Sequence, residues 1–204
     1  MKMLTVNNLL KKRYKTLNLE GEWRAAIGEP QLTGTWVIYG APKNGKTSLA
    51  LKLAKYLSDY GRVLYNSVEE GTSMSIQQAV ERAEMDCANG RGLFPARPMF
   101  FDELMSYLKK PKSPEIVFID SIQFMDLRMP QYRKLKLQFP NKLFIYVSHV
   151  SGTTPEGLIA QRIWRDANVT FRVELFKAFP VSRFGGGEPV IISKEKELQY
   201  WGKK

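Results

Sequence analysis

Eight residues, Gly40-Ala41-Pro42-Lys43-Asn44-Gly45-Lys46-Thr47, constrain this chain more than any other stretch, because they match the pattern G-x-x-x-x-G-K-[ST] at every fixed position. Thr35-Trp36-Val37-Ile38-Tyr39 precedes them as an apolar, β-rich run, and residues 48–57 follow with apolar side chains at helical spacing. Strand, glycine loop and helix is the order in which this pattern cradles phosphate. Glycines let backbone N–H groups turn inward, and the helix aims the positive end of its dipole at the bound anion. Gly40, Ala41, Pro42, Lys43, Asn44, Gly45, Lys46, Thr47 and Ser48 are therefore the expected nucleotide-binding residues. Lys46 is expected on the β- and γ-phosphates and Thr47 on Mg²⁺, so ATP and Mg²⁺ are the expected ligands. The competing reading, a chance glycine-rich turn, leaves the flanking pattern unexplained.

The rest of the chain alternates strand-like and helix-like stretches. Residues 63–68 read as a buried strand that delivers Glu69-Glu70-Gly71, and Ser73 reads as the cap of a helix over 76–88. Residues 98–102 read as a strand and 103–109 as a short helix. Residues 115–120 form a buried strand ending in Asp120, residues 131–138 a basic helix after Pro130, and residues 143–149 a strand ending in Ser148 and His149. Such alternation predicts an α/β fold, a mainly parallel sheet with helices on both faces. Residues 169–175 alternate in polarity, Gly185-Gly186-Gly187 interrupts, and residues 189–193 resume as a strand, which predicts a C-terminal antiparallel hairpin at the sheet edge.

Ligands of such sheets sit at the carboxyl ends of the strands, where three polar clusters fall. Asp120, after four apolar residues, has the form of an acid positioned to hold Mg²⁺; the bland alternative is a turn cap. Glu69 or Glu70 supplies a carboxylate to activate the attacking water, with Glu70 favoured; surface acids opening a helix are the alternative. His149, the only histidine, is placed to sense the γ-phosphate or else is structural.

With 204 residues there is room for one well-buried domain, here divided into an N-terminal segment at 1–34 and a core at 35–204. The only cysteine, Cys87, excludes an internal disulfide and is expected to pack beside Met85 and Ala88. No apolar run is long enough for a membrane span, and no secretory signal is read at the N-terminus, so a cytoplasmic protein with no membrane partner is expected. Net charge is the informative quantity. Thirty-one Lys and Arg against 20 Asp and Glu leave +11, which points to an acidic partner, nucleic acid first. The excess gathers in residues 1–15 (Lys2, Lys11, Lys12, Arg13, Lys15) and 128–142 (Arg128, Arg133, Lys134, Lys136, Lys142), neither of which contains an acid.

The loop at 40–47, the run Val63-Leu64-Tyr65-Asn66-Ser67-Val68-Glu69-Glu70-Gly71, Ile119-Asp120-Ser121-Ile122-Gln123 and Val147-Ser148-His149-Val150 stand in the order and spacing of RecA-like ATPases. The chain resembles the bacterial RadA branch over residues 30–193, and Arg183-Phe184-Gly185 is similar to the K-N-R-F-G signature of RadA proteins. That resemblance implies that Arg183 contacts a nucleotide or DNA across a subunit boundary, and hence homo-oligomers, rings or filaments. Val181 stands where the signature has lysine, zinc-binding cysteines and a protease-like domain are missing, and the segment after Asp120 is short. A core of this size looks like the small RecA-like ATPases of phages and mobile elements, Sak-type single-strand annealing recombinases among them. The resemblance makes residues 151–157 a mobile loop and places Arg162 and Arg165 on the helix after it, near single-stranded DNA together with Arg128, Arg133 and Lys134. Trp164 stacks on a base or packs in the core. Trp23-Arg24-Ala25-Ala26 has the look of a subunit-docking segment or a local packing element.

The expected function is a Mg²⁺-dependent ATPase that binds single-stranded DNA in recombination, annealing or repair. Two other classes stay open: a nucleotide-switched loader for DNA replication or recombination, and a P-loop small-molecule kinase. The kinase requires an arginine-rich lid that the sequence does not display.

Overall fold

A computed structural model of the chain describes residues 3–87 and 90–202, with nothing beyond the backbone at Cys87. Lys2, Ala88 and Asn89 lie outside the described residues, as does the packing role expected for the Cys87 side chain. In chain order the elements are α1 (Val6–Leu10), α2 (Gly21–Ile27), β1 (Gly34–Gly40), α3 (Lys46–Leu57), β2 (Val63–Ser67), α4 (Met74–Arg82), β3 (Gly92–Leu93), α5 (Phe101–Leu108), β4 (Ile116–Asp120) and α6 (Ile122–Met125). There follow α7 (Met129–Gln138), β5 (Leu143–Ser148), β6 (Val150–Ser151), β7 (Thr154–Pro155), α8 (Leu158–Asp166), β8 (Val169–Glu174), β9 (Lys177–Ser182), β10 (Val190–Ile191) and α9 (Lys194–Trp201).

Eight strands form one sheet in the order β10-β9-β8-β1-β5-β4-β2-β3. Every pairing from β8 to β3 is parallel, and β8-β9 and β9-β10 are antiparallel. The central strands are buried along their whole length, as continuous apolar runs such as Ile116-Val117-Phe118-Ile119 require. Period-two alternation divides them between two cores. Trp36, Ile38, Phe118, Ile145 and Phe171 face α2, α3 and α4, where Trp23, Leu49, Leu53 and Ile76 cover them. Val37, Val117, Ile119, Phe144 and Tyr146 face Leu104, Leu135 and Ile163 of α5, α7 and α8.

Two expectations need correction. Residues 98–102 are not a strand: Phe101 opens α5, and β3 lies earlier, at Gly92–Leu93. The Asn66 side chain takes the partner strand's place there, donating to Met99 O (2.7 Å) and accepting from Met99 N (3.0 Å), while Glu103 caps Phe100 N. The C-terminal hairpin is β8 with β9, a strand unforeseen because Pro180 sits inside it; β10 is a short third member. Leu17, Leu19, Ala26 and Ile27 are core residues, and Trp23, only 3% exposed, meets Phe171 edge-on and Tyr56 at a tilt. Trp23 and Ala26 therefore pack their own chain. Helix α1, none of whose residues is buried, stands off the core.

Candidate nucleotide site

Parallel strands carry their last residues to one edge of the sheet, where Gly40, Ser67, Asp120 and Ser148 end β1, β2, β4 and β5. The loop after β1 turns through Lys43 (φ 62°) and Gly45 (φ 98°) into α3. A Cβ on Gly45 would lie 2.9 Å from Phe176, so only glycine fits at that point. Lys46 is buried, and its ammonium donates to Ala41 O at 3.0 Å. Burial lowers its pKa, opposed by the charges of Asp120 and Glu69.

Asp120 is the centre of the site. Its Oδ2 accepts from Thr47 Oγ1 at 3.3 Å and from Tyr65 OH at 2.6 Å. Burial pushes its carboxyl up to about 6, against the Tyr65 hydrogen bond and Lys46, with Glu69 and Glu70 adding to the rise. A buried acid of this kind beside a hydroxyl is a hard-oxygen pair suited to Mg²⁺, which takes few protein ligands and completes its octahedron with water and phosphate. Among the described residues no cluster of three or more His, Cys, Asp or Glu could hold a metal ion.

The two glutamates after β2 separate. Glu69 Oε2 accepts from Ser121 Oγ at 3.0 Å and lies 3.0 Å from His149 Nε2. Glu70 turns outward to the Ser75 hydroxyl on α4. Glu69, not the favoured Glu70, thus joins His149 and the segment after Asp120. Gln123 extends this network: its amide donates to Ser148 Oγ and Glu156 O, both at 2.9 Å, and its carbonyl oxygen accepts from His149 N at 3.3 Å. Residues 151–157, expected as a mobile loop, include part of the small β6-β7 hairpin, and Gln123 bonds both Ser148 at the end of β5 and Glu156 just after β7.

Ser48 sits beside Thr47 in the first turn of α3, and other expected site residues lie away from this edge. Arg183 follows β9, which runs antiparallel to β8 and β1, so it is carried to the opposite end of the sheet beside Asn168. By strand rise that is about 15 Å from its own phosphate loop. Arg128, Arg133, Lys134, Arg162 and Arg165 are exposed on α7, α8 and the α7 cap. Tyr132 and Lys136 of α7 both bond Asp166 of α8, whereas Lys134 lies over the Phe101 ring on α5. The basic residues therefore spread over two sides of α7. Trp164 packs edge-on against Tyr39, 6.0 Å between centroids, which is the core reading of that residue.

The sequence matches no family model, and no curated protein is similar to it at a significant level. Solved structures are similar in fold. The flagellar accessory protein FlaH of Methanocaldococcus jannaschii superposes with TM-score 0.59 at 18% identity over 88% of this chain and 97% of that one. The KaiC-like protein PH0186 of Pyrococcus horikoshii OT3 gives 0.56 at 18% over 87% and 93%. The ATPase domain of G40P gives 0.52 at 18% over 78% and 80%. The fold is RecA-like. Within this RecA-like frame, the sequence gives no signal of a role for Gln123, leaves Glu69 the less favoured of two carboxylates, and offers only a burial argument for Tyr65. A tyrosine inside a wholly buried strand carries that argument, since its hydroxyl needs a partner there.

Among the described residues no helix is long and apolar enough to cross a membrane.

Proposed function

We propose that this chain is a Mg²⁺-dependent ATP hydrolase that binds single-stranded DNA and acts as a homo-oligomer in recombination, annealing or repair. The observation that carries the reading is the convergence of Lys46, Thr47, Asp120, Glu69 and His149 on one edge of a RecA-like sheet. Lys46 leaves the Ala41 carbonyl for the β- and γ-phosphates of ATP, while the backbone N–H groups of the 40–47 loop receive the remaining oxygens. Thr47 and Asp120 would hold Mg²⁺, which would supply neutralisation of charge on the phosphate oxygens. Glu69 orients the attacking water and accepts its proton. His149 then reports the state of that carboxylate to the β6-β7 hairpin through Gln123.

Arg183 cannot serve its own site from the far end of the sheet, which favours a role toward a neighbouring copy and so a head-to-tail array. The +11 charge and the exposed arginines of α7 and α8 support a polyanionic partner contacted through its backbone. ATP turnover measured with and without single-stranded DNA tests the reading. DNA is expected to stimulate turnover, and Lys46→Ala to lower it by about 100-fold or more with the circular dichroism spectrum unchanged. Hydrolysis retained by pure Lys46→Ala protein overturns the site, and ATP binding without turnover favours the nucleotide-switched loader.

A further inference from the structure

The turn between β8 and β9 consists of Leu175 and Phe176, and both have left-handed backbones, φ 45° and 61°. Two-residue hairpin turns with both central residues at positive φ ordinarily use Asn-Gly or Gly-Gly, because a side chain there meets the following carbonyl. A Leu-Phe pair costs free energy at each residue, and such strain persists where the surroundings over-determine it. Here they do. Leu175 N donates to Asn44 Oδ1 (2.8 Å) and Phe176 N to Asn44 O (3.1 Å), so both amides of the turn end on one residue of the phosphate loop. The Phe176 ring lies against Gly45.

Both carbonyls of the turn are engaged from the opposite side. Phe176 O accepts from Ile192 N at 2.9 Å, and Leu175 O accepts from Trp201 Nε1 of α9 at 3.1 Å. Helix α9 also stacks Tyr200 on Phe176 (centroids 6.3 Å apart, planes 10° apart) and sets Lys196 Nζ 3.9 Å from that ring's centroid. All four backbone polar groups of the turn thus connect the phosphate loop on one side to the C-terminal elements on the other.

We propose that the Leu175-Phe176 turn positions the phosphate loop for its nucleotide and that the Tyr200-Trp201 end of α9 holds the turn in place, so that side chains outside the site set nucleotide affinity. Asn44, Leu175 and Phe176 are positioning residues through their backbones and the Asn44 amide; Tyr200 and Trp201 act one step further out. The proposal rests on the nucleotide-site reading above.

Phe176 and Lys196 also line a cavity of about 1040 Å³ that opens beside Ser48, so changing them would mix positioning with direct contact. Tyr200 and Trp201 do not line it, which makes them the informative sites. The full chain is titrated with a non-hydrolysable ATP analogue and Mg²⁺ by calorimetry, and KM and kcat for ATP are measured beside the free-chain melting temperature. Trp201→Phe removes the donor to Leu175 together with part of the ring that meets Phe179 and Lys177. It is expected to weaken analogue binding and raise KM about fivefold or more, with kcat at saturation unchanged. Tyr200→Ala is expected to act in the same direction. Parent-like binding by both α9 variants overturns the positioning role. An unaltered chain that binds no analogue removes the nucleotide site itself, and the positioning role with it.

Discussion

The strand-end edge and the basic flank of α7 and α8 use polar residues in opposite ways. At the edge, Lys46, Asp120, Glu69 and Gln123 each have a named protein partner, and Asp120 is held at a cost to the fold. On the flank, Arg133, Arg162 and Arg165 stand in solvent on helices whose inner faces alone are fixed by packing. Chemistry that needs exact placement gathers in the buried network. Charge that needs only to meet a phosphate backbone can stay outside it, where its contribution depends on salt rather than geometry.

The largest test of that contrast is removal of the flank charges. Replacing Arg128, Arg133, Lys134, Arg162 and Arg165 by Ala is expected to leave basal ATP turnover intact and weaken single-stranded DNA binding by about tenfold or more. If all five meet phosphates, the slope of log K against log salt falls by about 3.5. An unchanged slope in fluorescence anisotropy at several salt concentrations assigns DNA to another face.

Confined to the buried edge is the stability effect of Asp120. Its pKa rises from the ordinary 3.8 to about 6, so the native state binds the proton more tightly than the unfolded chain. Stability from this group therefore falls as pH rises from about 4 to about 6, and the deficit is complete above that. At pH 7.5 without Mg²⁺, Asp120→Asn is expected to be more stable than the parent by up to about 3 kcal/mol, the equivalent of two pKa units, with the gap closing toward pH 4. Urea unfolding at both pH values measures it, and a parent more stable at pH 7.5 contradicts the burial account.

The smallest expected change lies between the two regions. Tyr146 OH is wholly buried, and among the described residues nothing bonds it. Tyr146→Phe is expected to be neutral or stabilising by at most about 1 kcal/mol, since it removes a desolvated hydroxyl without breaking a bond. A marked loss in thermal unfolding would reveal a partner for that oxygen.

How much of this was readable follows from what kind of interaction placed each element. The phosphate loop, the buried strands and the Ser73 cap rest on local pattern and local chemistry, and Ser73 Oγ does accept from Ile76 N. Residues 98–102 misled because a side chain 33 positions away supplies their hydrogen bonds. Strand β9 hid behind Pro180 and behind a turn with no turn-forming residue, whose conformation is imposed by Asn44 and α9. Glu69 and Glu70 were indistinguishable because the choice depends on how the chain turns after Ser67, where Asp120 O accepts from both Val68 N and Glu69 N. In each failure the deciding partner is remote in sequence.

The reversed direction of β9 also bears on counting. A chain whose Arg183 and phosphate loop sit at opposite ends of one sheet is a unit with a head and a tail. Under the proposed trans role, an open row of n such units completes n − 1 sites and a closed ring completes n. Activity per chain in a row would thus climb with length toward a plateau, and a lone copy would hold every part of the reaction except the one it lends to its neighbour.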